Sequence, residues 1–310
     1  MTLTIKKHPQ TQGNAFYNEE NEICLICDPK TLPKTFQHIP VVITFLQPET
    51  SALVTDPTIT NPLYLPQELY TILQKAAKFA LKAPLNQQIK ILPYGYAQKI
   101  AHLKITAERT DDLNSDAIVL LVQTATQTIG YAATFSKNGL HKSRIKKWKK
   151  HFKQAQLDQL VLADTFFQNE ENTIFNPNQI LKQVKNELSN AQTDEILTFS
   201  VPFANLALLS QIKVISTQTE RKLVLTPAYA GLLRHFYPYD EDFIASAPDD
   251  DNLTTYLQQP DRYFFQAELL QQPAREILNV SAPVHSAPIT QAELNDLVKY
   301  VAPKELLILE

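Results

Sequence analysis

Short apolar and alternating runs dominate the first half of the chain. Each spans four to eight residues, which is typical of strands buried on one or both faces. Behind Pro66, the residues Leu69, Ile72, Leu73 and Ala76 recur at helical spacing, and proline suits the first turn of a helix. The pattern predicts a β-rich half with helices packed outside it, and its strands are expected at residues 23–26, 41–44, 89–92, 103–106, 117–122 and 128–135.

The second half alternates between strand-like and helix-like patterns. A helix is predicted after Asn176, whose side chain can accept hydrogen bonds from the free N–H groups of the first turn, with Pro177 following it. Further on, strands are predicted at 196–199 and 222–225 and helices at 205–215 and 229–236. This βαβα order is typical of a parallel sheet.

The end of the chain carries the clearest helix signal. Thr290 and Glu293 have the spacing of a capping box, and apolar residues from Leu294 onward fall on one helical face. Pro303 cannot continue the helix, and residues 306–309 are expected to form a last strand.

Composition narrows the class of protein. The chain has 310 residues, of which 44% are hydrophobic and 20% charged, so we expect two folding units with a true core. There are five glycines, where average usage would give roughly 22, so glycine-rich phosphate loops are disfavoured. No run approaches the ~20 apolar residues that a bilayer requires, so we expect a cytoplasmic protein without membrane contact.

The two cysteines lie in one apolar run. Cys24 and Cys27 are three residues apart, and the strand period of two would point their side chains to opposite faces of a sheet. We therefore expect buried strand residues rather than a disulfide or a metal clip.

Four segments of the chain carry short motifs that occur together in one known protein family. Gly13 and Asn14, followed by the strand that ends at Asp28-Pro29, are similar to the family's N-terminal Gly-x-Asn and Asp-Ala-Gly motifs. Residues 286–294, with Pro303-Lys304 after them, resemble its Ser-Gly-His-Ala-Ser-Gln-x-x-Leu and Pro-Lys motifs. Further similarity lies at 203–205 and 221–224. Together these motifs resemble the ribonuclease J-like branch of the metallo-β-lactamase/β-CASP family.

The resemblance implies a fold of the α/β class. Two sheets would form an αββα metallo-β-lactamase sandwich, interrupted by a shortened β-CASP α/β domain. On this interpretation, residues 1–192 form the first part of the sandwich, 193–275 the insert, and 276–310 the returning helix and strand.

The family's metal ligands do not match this sequence. Where the family has Thr-His-x-His-x-Asp-His, this chain has Thr44-Phe45-Leu46-Gln47-Pro48-Glu49-Thr50, and its bridging aspartate corresponds to Thr134. None of the seven histidines has His-x-His or His-x-x-x-His spacing. The degenerate ligand positions are Phe45, Gln47, Glu49, Thr50, Asp112, Thr134, Pro288 and Glu310.

Loss of the ligands has a direct chemical consequence. A bound metal lowers the pKa of water to about 7 from about 15.7, and that gain disappears with the metal. We therefore expect no catalytic residues, no metal and no cofactor. The alternative is a hydrolase or nuclease with a relocated site, in which Glu49, Asp112 and Glu310 hold a hard cation through oxygen ligands.

One segment stands out from a chain whose net charge is −3. Residues 141–153 carry seven formal positive charges, while Ile145, Trp148 and Phe152 share one helical face. Clustered cations favour binding to an RNA backbone, although a solvated helix face would show the same pattern. The candidate RNA-binding residues are Lys142, Arg144, Lys146, Lys147, Lys149, Lys150 and Lys153.

These observations lead to one functional hypothesis and its rivals. The preferred hypothesis is a catalytically inactive, ribonuclease J-like pseudoenzyme that binds RNA or an active ribonuclease J-type paralogue. The family resemblance also implies a homo- or hetero-oligomer. The hydrolase with a relocated metal site is the first rival. An assembly subunit without RNA affinity is the second, and it would associate with a protein in a salt-insensitive way.

Overall fold

The computed structural model describes residues 1–47, 49–78, 83–111, 117–137, 139–163, 176–203, 205–239, 242–280 and 289–309. The chain divides into two compact units. The first comprises Met1–Gln74, Ala83–Phe175 and His285–Glu310, and the second comprises Lys75–Lys82 and Asn176–Val284. Among the described residues, no helix is both long and apolar enough to cross a bilayer.

The first unit contains two six-stranded sheets, both of mixed strand direction. The strands of the first sheet, in spatial order, are β1 (Thr4–Lys7), β2 (Asn14–Tyr17), β3 (Ile23–Cys27), β4 (Val41–Val42), β5 (Leu63–Pro66) and β6 (Ile89–Leu92). The second sheet has the order β17 (Glu305–Ile308), β11 (Gln159–Leu162), β10 (Thr128–Ala132), β9 (Ile118–Gln123), β8 (Leu103–Arg109) and β7 (Ala97–Ile100).

The alternation of side chains along the strands decides how these sheets pack. Leu120 and Val122 of β9 enter one apolar cluster with Phe16 and Leu25 of the first sheet. Their neighbour Leu121 belongs to a different cluster, on the outer face. Because successive side chains point to opposite faces, each sheet buries one face against the other sheet and the second face under helices.

Helices cover both outer faces of this sandwich. Residues of α1 (Thr50–Thr55) and α2 (Gln67–Ala76) pack on the first sheet. Residues of α3 (Lys142–Ala155) and α8 (Gln291–Val301) pack on the second. The layers of the first unit are therefore helices, sheet, sheet and helices, which is a mixed α/β architecture.

The expected capping box at the start of α8 is confirmed. The Thr290 side chain accepts a hydrogen bond from the Glu293 N–H, and the Glu293 carboxylate accepts one from the Thr290 N–H. At the other end, Ala302 adopts a left-handed conformation just before Pro303. Both ends of this helix thus lie where the sequence predicts them.

The second unit is built on a five-stranded sheet in which all strand pairs are parallel. The predicted parallel sheet is therefore present. In spatial order its strands are β14 (Phe243–Ala245), β13 (Lys222–Leu225), β15 (Tyr263–Gln266), β12 (Leu197–Ser200) and β16 (Arg275–Asn279), and its helices are α4 (Pro177–Asn190), α5 (Leu206–Gln218), α6 (Pro227–Phe236) and α7 (Asp251–Leu257).

The boundaries of this unit differ from the predicted 193–275. Helix α4 belongs to it because α4 packs against α5 and β16. At the other end, β16 pairs with β12 and extends the unit past residue 275. Only Ile277 of β16 is buried, so this strand lacks the apolar alternation on which the sequence argument depends.

The expected opposite orientation of the two cysteines is wrong. Cys27 lies in the cluster between the two sheets, and Cys24 packs against the same cluster. The reason is a bulge, because the register shifts where Phe16 pairs with Leu25 but Tyr17 pairs with Ile23. An extra residue in one strand reverses the alternation locally, and both thiols are free.

Gly130 of β10 allows helix α3 to approach the second sheet closely. A Cβ atom at this position would lie 2.6 Å from Leu157 Cδ1 and 2.7 Å from Phe152 Cε2. We predict that Gly130→Ala lowers the free energy of unfolding by about 1–3 kcal/mol through overpacking. Chemical denaturation measures this change. In a protein that already carries Phe152→Leu, Gly130→Ala should lower the free energy of unfolding by less than it does in the wild type. Strictly additive effects of the two substitutions would contradict the proposed contact.

Candidate functional site

A buried polar network joins the two sheets at one end of the sandwich. The segment 44–50, which resembles the family's metal-ligand loop, begins at this end. Asp28 follows β3, Thr44 follows β4, and Tyr131 comes from β10 of the opposite sheet. The Thr44 N–H and hydroxyl donate to the two Asp28 carboxylate oxygens at 2.6 Å each, and the Tyr131 hydroxyl donates to Asp28 Oδ2 at 3.1 Å. Asn14 Nδ2 in turn donates to the Tyr131 hydroxyl oxygen at 2.7 Å.

Local backbone features bring these groups together. A Cβ atom on Gly13 would lie 2.7 Å from the Cys27 carbonyl oxygen and from Pro29 Cα, so only glycine lets the chain entering β2 pass so close to the end of β3. Across the sandwich, the Ile118 N–H of β9 donates to the Thr44 carbonyl oxygen at 2.8 Å. The end of the first sheet is thus held to the second by backbone as well as side-chain hydrogen bonds.

The loop that should carry the metal ligands is built into this network. Gln47 Nε2 donates to the Asp28 carbonyl oxygen at 3.2 Å, and the Gln47 N–H donates to the hydroxyl of buried Thr50 at 2.9 Å. Phe45 packs against the cluster between the sheets. Glu49 is half-buried at the start of α1. Phe45, Gln47 and Thr50 thus support the fold of the loop.

The remaining degenerate positions are only partly visible. Thr134 is buried after β10. Asp112, Pro288 and Glu310 lie outside the described residues. Within the described ranges, no group of three or more His, Cys, Asp or Glu side chains comes together as a metal site.

The network does not fit a metal ion chemically. A metal would need the lone pairs of a carboxylate, but the oxygens of Asp28 already accept hydrogen bonds from Thr44 and Tyr131. Burial raises the pKa of Asp28 to about 6, against these hydrogen bonds, which favour the charged form. Burial also raises the pKa of Tyr131, so its hydroxyl stays protonated and continues to donate. The arrangement can fasten two sheets, but it presents no ligand to solvent.

Asp111 is a buried carboxylate that the sequence argument missed, because the resemblance pointed to Asp112. Its Oδ2 accepts a hydrogen bond from the His141 N–H at 2.5 Å, at the N-terminus of α3. Burial raises the pKa of Asp111 to about 6, while the His141 N–H and nearby Arg144 and Lys142 oppose the rise. A carboxylate at this end of a helix is favourable, so Asp111 helps to position the basic helix.

Helix α3 docks onto the second sheet through its apolar face. Trp148 and Phe152 are fully buried, and Trp148 Nε1 donates to the Thr110 hydroxyl at 3.1 Å. The apolar positions predicted from the sequence therefore face the sheet, and the cationic positions lie around the remaining surface of the helix.

The seven candidate cations fall into three groups. Carboxylates of the same unit pair with some of them, since Glu68 contacts Arg144 at 3.9 Å and Glu108 contacts Lys147 at 3.2 Å. The ammonium groups of Lys149 and Lys153 lie 5.0 Å and 4.8 Å from the centre of the Tyr300 ring on α8. The third group comprises Lys142, Lys146 and Lys150, which are exposed and form no ion pair with other described residues.

The raised pKa of Asp28 predicts a pH-dependent stability. The unfolded carboxyl loses its proton near pH 4 and the folded one near pH 6, so this stabilisation is complete below pH 4 and is lost as the pH rises to 6. The loss amounts to about 3 kcal/mol. Asp28→Asn should remove this part of the pH dependence when unfolding free energies are compared at pH 4 and pH 7.

Asp158→Asn provides the control of opposite sign. The hydrogen bond from Lys304 lowers the pKa of Asp158. The Asp158 carboxyl therefore stabilises the folded protein above the pKa of its unfolded state, and this stabilisation is lost as the pH falls. An unchanged pH profile in Asp28→Asn would mean that this carboxyl is solvated in the folded protein.

No family model and no curated protein matches this sequence. Among solved structures, the chain is similar to a protein of unknown function from Enterococcus faecalis V583. The two share 18% sequence identity with a TM-score of 0.61, over 90% of this chain and 70% of that chain. At this identity the likeness concerns the fold alone, and it shows that the mixed α/β arrangement is shared with that protein.

Proposed function

We propose that this protein is a non-hydrolytic relative of the ribonuclease J-like metallo-β-lactamase/β-CASP proteins, and that it binds RNA through helix α3. The observation that carries the proposal is the row of exposed lysines Lys142, Lys146 and Lys150. Their spacing of four residues places them on one side of the helix, about 6 Å apart along its axis.

The layer order supports the family assignment. Two six-stranded sheets lie between helices, and a parallel α/β unit is inserted before α8 and β17. This is the arrangement that the sequence resemblance implies. Fold alone does not establish an activity, so the proposed role depends on the surface chemistry and on the residues at the ligand positions.

The residues at the ligand positions favour binding over hydrolysis. Hydrolysis of a phosphodiester at neutral pH needs an activated water, which a metal would supply. At the positions described, the residues matching the ligands are Phe45, Gln47, Glu49, Thr50 and Thr134, and Asp28 is occupied by protein hydrogen bonds. We therefore assign the scaffold a role in binding.

The charge distribution favours a polyanion as the partner. The chain is net negative, so a general attraction to nucleic acid is not expected, but a local row of ammonium groups attracts phosphates strongly. Phosphate contacts need clustered cations and no particular sequence of bases. RNA is the polyanion that the family resemblance suggests.

Charge reversal on α3 tests the RNA-binding role. We expect the triple variant Lys142→Glu, Lys146→Glu and Lys150→Glu to lose binding of fluorescently labelled RNA, measured by anisotropy. The matched control reverses three exposed lysines of the second unit, Lys182, Lys185 and Lys222, and changes the net charge equally. Equal loss in both variants, or in neither, would contradict a site on α3.

The salt dependence supplies a quantitative version of this test. With alanine at positions 142, 146 and 150, three phosphate contacts disappear. The slope of log K against log salt concentration should become shallower by about 2, at about 0.7 per contact for a single strand. An assembly subunit without RNA affinity would instead associate with a protein partner in a salt-insensitive way.

The hydrolytic alternative has its own measurement. We expect purified protein to leave labelled RNA intact in the presence of Mn²⁺, Zn²⁺ or Mg²⁺, because the described residues at the ligand positions include no histidine to hold a metal that would activate water. Elemental analysis should find no stoichiometric metal. RNA cleavage that depends on a bound metal and disappears with Glu49→Gln would overturn the proposal in favour of a relocated carboxylate site.

A further inference from the structure

The two flanks of helix α3 differ in how their charges are balanced. On one flank, the nearly buried carboxylate of Glu108 contacts both Lys147 Nζ and His151 Nδ1, at 3.2 Å and 3.0 Å. Glu68 likewise binds Arg109 and lies 3.9 Å from Arg144. Cations on that flank therefore have anionic partners within the protein.

The other flank has cations and an aromatic ring instead. Lys149 and Lys153 place their ammonium groups over Tyr300, which is 40% exposed. Neither lysine forms an ion pair with another described residue. Burial and the charge of Lys137 lower the pKa of Lys149, and Asp296 compensates only in part. This flank offers a surplus of positive charge beside an exposed π face.

We infer that Tyr300, Lys149 and Lys153 form a binding site for one unpaired nucleotide, in which the base stacks on Tyr300 and the lysines hold the adjoining phosphates. The inference rests on the proposed RNA-binding function and adds the strand specificity of the site. An aromatic ring beside clustered cations is the combination that proteins use to bind single strands.

Magnitudes decide between the contact present now and the one inferred. Each cation–π interaction at an exposed position is weak, whereas loss of an aromatic side chain that stacks on a base weakens single-strand binding about 5- to 150-fold. A base can therefore displace the ammonium groups from the ring. Lysine has a flexible four-carbon stem, so each ammonium can move to a phosphate while remaining on α3.

A duplex does not satisfy this site. Bases within a helix are stacked on one another and paired, so their faces are not available to a protein ring. Single-stranded RNA should therefore bind more tightly than a duplex of equal length, even though the duplex carries more phosphate charge.

The experiment compares Tyr300→Leu and Tyr300→Phe with the wild type, using a single-stranded RNA, the matching duplex and a strand with abasic nucleotides. We expect Tyr300→Leu to weaken binding of the single strand about 5- to 150-fold. Duplex binding and the slope of log K against log salt concentration should stay unchanged. The variant should also bind the normal and the abasic strand with equal affinity. Tyr300→Phe keeps the ring and should bind like the wild type. Tyr239→Leu, at a fully exposed tyrosine of the second unit, controls for loss of any surface tyrosine.

The outcomes separate this inference from the proposed function. If wild-type protein binds no RNA, the function itself fails. If RNA binds and charge reversal on α3 abolishes it, but Tyr300→Leu binds as tightly as the wild type, the function stands and the stacking site is wrong. If Tyr300→Leu and the wild type have the same midpoint temperature of thermal unfolding, weaker RNA binding by the variant does not result from a loss of fold.

Discussion

Burial of the two sheets against each other is the constraint on which the first unit depends. Each sheet contributes one apolar face to a shared cluster, including Phe16 and Leu25 from one and Leu120 and Tyr131 from the other. At one end of the sandwich the interface becomes polar. The free-energy cost of burying polar groups there is offset because each group has a hydrogen-bond partner. Asn14, Tyr131, Asp28 and Thr44 form that set.

This junction links the architecture to the proposed function. The Asp28 carboxylate accepts hydrogen bonds from both sheets, so this side chain links the two sheets at their polar end. The proposed function uses a different surface, that of α3, which is anchored by Trp148 and Phe152.

Helix α3 shows how packing gives side chains of like charge different surroundings. Seven cations along it look equivalent in the sequence, but carboxylates of α2 and β8 neutralise one flank, and Tyr300 of α8 borders the other. Lys142, Lys146 and Lys150 remain exposed. The sorting depends on neighbours that lie far apart along the chain, so no local pattern could reveal it.

The amino-acid sequence by itself determined the elements whose signals are local. The capping box at Thr290, the Asn176 cap and the apolar stripe of α3 depend on residues within two turns of helix, and the alternation of β9 follows from the pleat of a single strand. Tertiary structure alone decided the bulge that turns Cys24 inward, the inclusion of α4 and β16 in the second unit, and the burial of Asp111. Each of these depends on contacts between segments distant in sequence, where the energy of packing and of paired buried polar groups exceeds any local preference.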